Sequence, residues 1–173
     1  METLLELAKY TIPALIVGLI TFFLVRSFMR EAESQRRSEQ LLKNHEITIP
    51  LRLQAYERIM LFLERISVDS LLMRHSQSGL NSRQMHTEML TAIRSEYEHN
   101  LSQQVYITPK AWEMVKNARA QIIKVINTSA EQTNPAAPAI ELSKKILEEM
   151  GEYPKSPTQM AIDYIKDEIR TLF

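Results

Sequence analysis

Residues Tyr10–Val25 read YTIPALIVGLITFFLV, a run without one charged side chain. Leu4, Leu5, Leu7 and Ala8 carry the apolar character back toward the start, interrupted only by Glu6 and Lys9. A bilayer core takes about 20 helical residues, and Leu4–Val25 approaches that length. Lys9 lies near one end, where its stem can carry the ammonium to the headgroups. Pro13 comes early enough to start or kink a helix without breaking its middle. Three other readings fit less well. A cleaved signal peptide opens on basic residues and ends on small ones, whereas this run follows Glu2 and Glu6 and leads into Arg26-Ser27-Phe28-Met29-Arg30. A buried core helix keeps more polar surface. An interfacial helix needs a polar face, which Thr11 and Thr21 do not make. The sequence therefore predicts a transmembrane anchor over residues 1–26, with the lipid bilayer as its first partner.

Basic residues set the orientation of a single span. Arg26, Arg30, Arg36 and Arg37 follow it, with Lys43 beyond, whereas only Lys9 and the terminal amine precede its core. The expectation is an inner-membrane protein with its N-terminus outside and the rest of the chain in the cytoplasm. Residues 27–46 (SFMREAESQRRSEQLLKNHE) are strongly helix-forming with little apolar face beyond Met29, which reads as a solvated stalk. Ile47-Thr48-Ile49 before Pro50 reads as an extended break, so a domain over residues 47–173 is expected.

Within that domain, apolar residues recur at helical spacing. Leu53, Tyr56, Ile59, Met60, Leu63 and Ile66 form the first stripe. Ser67 to Ser70 interrupt or re-cap it before Leu71, Leu72 and Met73, and Ser78-Gly79 closes the segment. Asn81 with Gln84 has the layout of a capping box, opening a helix whose inner stripe is Met85, Met89, Ile93, Tyr97 and Leu101. Thr108-Pro109 is a cap followed by proline at the first helical position, and Trp112, Val115, Ala118, Ile122 and Ile126 follow. Asn127–Ala139 is the clearest loop. Ile140, Leu147 and Met150 mark a helix ended by Gly151. Ser156-Pro157 opens the last one, with Met160, Tyr164, Ile165, Ile169 and Leu172 inward. The fold class is all-α: one N-terminal transmembrane helix, a helical stalk, then an antiparallel bundle of about four to five helices.

Composition removes several chemistries. The 21 basic and 21 acidic residues balance, and charged residues make up 24% of the chain, so no global field marks a nucleic-acid binder. With no cysteine there is no disulfide, thiolate metal site or thiol nucleophile. Three glycines leave no glycine-rich phosphate loop. No serine has a matched His and Asp at an informative spacing, and Gly-x-Ser-x-Gly is absent.

One metal-like spacing remains, Glu96 with His99, which share a helical face as in carboxylate-bridged two-metal bundles. Such sites take a second copy of the motif, and Leu42, Leu72 and Arg83 stand three residues before the other histidines. Solvent-facing or capping roles are the plainer reading, and no cofactor is expected. The amide-rich run Glu98–Thr108 (EHNLSQQVYIT) either holds a helix–loop junction or presents His99, Asn100, Gln103, Gln104 and Tyr106 as an interaction surface.

The anchor, the basic juxtamembrane stalk and the EHNLSQQVYIT stretch together resemble uncharacterised small single-pass, membrane-anchored helical proteins of Bacteroidota-type bacteria. That resemblance implies the same architecture and no known activity. The expected function is a non-enzymatic, membrane-tethered interaction or scaffold domain, an accessory component of an inner-membrane assembly, with a protein partner or a second copy of itself and no nucleic acid. One alternative is an oligomeric stalk-like subunit, similar in layout to the peripheral stalk of ATP synthases, although the prolines from Pro50 onward cut the chain into bundle-sized helices. The other is an unrecognised metal-binding or enzymatic bundle built on Glu96 and His99.

Overall fold

The computed structural model describes residues 2–75 and 79–172, and within the first helix it describes the side chains of residues 15, 18–31, 33 and 46–65. Those residues form α1 (Glu2–Arg65), α2 (Val68–His75), α3 (Ser82–Asn100), a 3-10 turn (Leu101–Val105), α4 (Pro109–Glu131), α5 (Ala139–Gly151) and α6 (Pro157–Leu172). Among the described residues there is no strand, only one isolated bridge between Asn81 and Pro138. The all-α expectation is met.

The chain divides into two units, Met1–Ile49 and Pro50–Phe173. In the first, the described apolar side chains from Leu15 to Met29 are all exposed. Among the described residues no helix is long and apolar enough to cross a membrane. Of the expected span Leu4–Val25, the side chains at 4–14, 16 and 17 lie outside the described residues, as do those at 34–45 of the expected stalk. The extended break at Ile47–Pro50 is not found, because these residues are helical. Glu46 to Pro50 are all exposed, so the carbonyl that a proline nitrogen leaves unpaired faces water.

The second unit has a single core. Ala55, Tyr56, Ile59, Phe62 and Leu63 of α1, Met85, Met89 and Ile93 of α3, and Trp112, Val115, Ala118, Ile122 and Ile126 of α4 are buried in it. Helix α4 packs against α3, α5 and α6, so its apolar stripe is the spine of the domain. The expected stripe of α3 ends one turn early, because α3 stops at Asn100 and leaves Leu101 40% exposed. Leu53 also points outward.

Local signals set the helix boundaries. Ser67 Oγ accepts from Ser70 N at 3.3 Å and opens α2. Gly79, with φ of 108°, turns the chain in the left-handed region that glycine occupies without strain. Asn81 Oδ1 accepts from Gln84 N at 2.9 Å while Gln84 Oε1 accepts from Asn81 N at 3.0 Å, completing the capping box. Thr108 Oγ1 caps α4 by accepting from Ala111 N at 3.1 Å. The loop expected from Asn127 is shorter, since α4 continues to Glu131.

Two helices are rotated from expectation. In α5 the inward residues are Ala139, Leu142, Ser143 and Ile146, while Ile140 and Leu147 are each 51% exposed. The buried stripe keeps i, i+3, i+4, i+7 spacing and contains two small residues, which let neighbouring helices approach. Ser143 is compatible with burial because its hydroxyl donates to Ala139 O at 3.2 Å. In α6, Thr158, Ala161, Ile162 and Ile165 face the core, Tyr164 and Ile169 are half-buried, and Met160 and Leu172 point out.

Candidate functional site

The Pro50–Arg65 part of α1 runs antiparallel to α3 and the 3-10 turn. Arg52 Nε donates to Tyr106 O at 3.1 Å at one end, and Arg65 Nη1 donates to Glu96 Oε1 at 2.9 Å at the other. As numbering rises along α1 it falls along the partner strip. At the Arg65–Glu96 end lies a groove of about 170 Å³, lined by Arg58, Leu61, Phe62 and Arg65 from α1 and by Glu96, His99 and Asn100 from α3.

Glu96 and His99 therefore do share a helical face and open onto one groove. Glu96, however, is engaged by the Arg65 guanidinium. Among the described residues no group of three or more His, Asp or Glu side chains could hold a metal ion. The pair as placed is an acceptor for a cation already present, with an exposed imidazole beside it.

The amide-rich run splits between its two readings. Asn100 is buried and its Nδ2 donates to Glu96 O at 2.8 Å, four residues back, so it closes the last turn of α3. Tyr106 N donates to Gln103 O at 3.0 Å, fixing the turn, and Gln103 Nε2 reaches only the Ser102 hydroxyl at 3.3 Å. Gln104 is exposed, and Tyr106 is 43% exposed with Val105 beside it at 77%. No side chain of the turn Leu101–Val105 is buried. Asn100 and the backbone make the junction; Leu101, Val105 and Tyr106 present apolar surface.

A second cleft, of about 290 Å³, lies between the start of α3 and the end of α4 and was not anticipated. It is lined by Ser82, Arg83, His86, Asn127, Ala130, Glu131, Thr133 and Pro135. His86 Nε2 donates to Asn127 Oδ1 at 2.8 Å. The α3 amides beside it are already committed, Ser82 N to Ala137 O at 2.8 Å and Arg83 N to Pro135 O at 3.2 Å. This helix start therefore holds no open anion site. His86 and Asn127 are 41 residues apart and belong to no local motif, so only the packing of α3 on α4 reveals the pair.

A model of a family of unknown function matches residues 2–172. No curated protein and no solved structure matches the chain.

Proposed function

The chain belongs to the DUF7935 family, and with no activity to inherit from it we propose that this protein is a single-pass, membrane-tethered helical interaction or scaffold domain. The observation that carries the reading is the surface of α1 before Arg26. Leu19, Ile20, Phe22, Phe23, Leu24 and Val25 are each more than half exposed. At about 100° per residue these positions point in every direction around the helix. An amphipathic helix would confine them to one face, and an apolar surface on all sides belongs in lipid. Arg26 and Arg30 follow at once and favour a cytoplasmic place for the domain, in an inner membrane of the kind the sequence resemblance implies.

The domain is read as a module without catalysis, for which the exposed Leu101, Val105 and Tyr106 supply contact surface. Alkaline extraction of native membranes tests the anchor: the chain stays in the pellet, and release into the supernatant overturns it. A reporter that fluoresces only in the cytoplasm, fused after Phe173, tests orientation. The 64 residues of α1 favour one second reading, an oligomeric stalk subunit. Chain mass in mild detergent separates the two, because a stalk subunit self-associates.

A further inference from the structure

The cleft between the start of α3 and the end of α4 has polar walls that are only half used. Ser82 Oγ donates to Ala137 O at 3.1 Å and Thr133 Oγ1 to Ser129 O at 2.8 Å, so both hydroxyl protons are committed. His86 of α3 and Asn127 of α4 are half-buried and spend one atom each on the 2.8 Å bond between them. Their remaining polar atoms, His86 Nδ1 and Asn127 Nδ2, make no hydrogen bond among the described residues and are not buried. With Nε2 donating, Nδ1 is left as an acceptor and the amide nitrogen as a donor. The opposite tautomer, with the amide turned over, exchanges the two roles and leaves the same pair. A neutral imidazole therefore always gives this cleft one free donor and one free acceptor, on two different helices. Apolar surface comes from Ala130 and Pro135, and the two ionic residues of the lining, Arg83 and Glu131, are exposed and opposite in charge. The cleft therefore has no net charge with which to select an ion.

From this arrangement we infer that the cleft binds a small uncharged molecule with a carboxamide head on an apolar body. A carboxamide carries its own donor and acceptor on separate atoms, and it answers the free pair in either tautomer. A carboxylate has no donor and an amidinium no acceptor, so each leaves one protein atom unmatched. A hydroxyl offers both roles from a single atom, whereas the two protein groups stand on different helices. The volume of about 290 Å³ leaves room for a single-ring body beside the head, at the small end of ligand pockets. The walls are in place without a ligand, because Ser82 N and Arg83 N tie the Pro135–Pro138 loop to α3. The inference is independent of the anchor, since every residue it uses lies between Ser82 and Pro138.

The test uses the full chain in mild detergent and three probes of one shape: benzamide, benzoate and benzamidinium. NMR reads the Asn127 side-chain amide and the His86 ring, with the indole of Trp112, the one tryptophan of the chain, as a check on the fold. Benzamide should shift the Asn127 and His86 signals saturably, with the millimolar affinity typical of a ligand of about nine non-hydrogen atoms. Benzoate and benzamidinium should bind about tenfold more weakly or not at all. Asn127→Asp keeps an acceptor for His86 and removes the free donor, so it should weaken benzamide about tenfold and reverse its advantage over benzamidinium. The order of the three probes on the unaltered chain decides the matter even if that variant disturbs the Trp112 signal. No saturable shift at Asn127 and His86, shifts confined to other residues, or a charged probe binding as tightly as benzamide each overturns the assignment.

Discussion

Tyr97 of α3 and Trp112 of α4 stack with ring centroids 5.6 Å apart and planes inclined by 22°. Phe62 of α1 meets Tyr97 at a tilt of 57° with centroids 6.1 Å apart, and the Arg119 guanidinium lies over the Tyr97 ring, 4.1 Å from its centroid. One tyrosine thus ties three helices together beside the groove floor. Aromatic pairs contribute about 0.5–1.5 kcal/mol beyond the area they bury. Trp112→Ala should therefore destabilise the protein by about 3–5 kcal/mol, and Trp112→Phe by visibly less. Thermal melts check this, and an unchanged midpoint for Trp112→Ala would remove Trp112 from the core.

Asn81→Ala should cost about 1 kcal/mol, the usual value of an N-cap, because it orphans Gln84 N and frees the Gln84 side chain. Asn81→Ser keeps the acceptor and should recover most of the loss. Denaturant midpoints for the two variants would separate capping from packing.

Gly79 and Gly151 both have open space where a Cβ would stand, yet alanine should act on them in opposite directions. At Gly79 the φ of 108° forces an alanine into the left-handed region at a cost of about 1–2 kcal/mol. Gly151 is the last residue of α5, where alanine stabilises by up to about 1 kcal/mol. Equal effects in the two melts would contradict this contrast.

Lys155 and Gln159 both bond Asp163, and they hold its carboxyl below the ordinary aspartate range, Lys155 most strongly. The folded protein therefore favours the ionised form. The contribution is present above the ordinary aspartate value and is lost as pH falls through the lower folded value. Lys155→Ala should raise the Asp163 titration midpoint, as read by carboxyl carbon NMR, and flatten this acid limb of the stability profile. An unmoved midpoint would show that the ion pair does not persist in solution.

Residues 50–173 expressed alone should fold cooperatively, since every residue of the core cluster lies between Ala55 and Ile165. Circular dichroism should give a single sharp melt. A helical product that melts gradually would mean that the core is completed by something outside this segment.

The starts of α2, α3 and α4 could be read directly because they rest on short-range chemistry. The Asn81–Gln84 box, the Thr108–Pro109 cap and the Ser67 interruption each involve residues within four positions of one another. The faces of α5 and α6 could not be read the same way. Their large side chains, Ile140, Leu147 and Met160, point out, while Ala139, Ser143 and Ala161 point in. That choice is made by how closely α4 and α3 approach, and a hydropathy stripe does not contain it. Glu96 and His99 were found by their spacing, but the cation that occupies Glu96 comes from 31 residues earlier. The sequence leaves Asn100 between a junction and a surface role, because nothing local says that α3 ends there; its bond to Glu96 O makes it the junction. His86 and Asn127 likewise gain their meaning only from each other, across two helices.

The first turn of α3 is finished by atoms that arrive late. Ser82 N, Ser82 Oγ and Arg83 N all donate to carbonyls of the Pro135–Pro138 loop, some 55 residues further along the chain. During synthesis α3 emerges long before that loop exists, so its leading amides stay bound to water until α4 has formed and the chain has turned back. The loop then acts as a latch that cannot close before α4 is made. Amide exchange at Ser82 and Arg83 becomes a clock for closure of this latch, and a flexible insertion between Asn134 and Pro138 would open the beginning of a helix that stands more than fifty residues upstream.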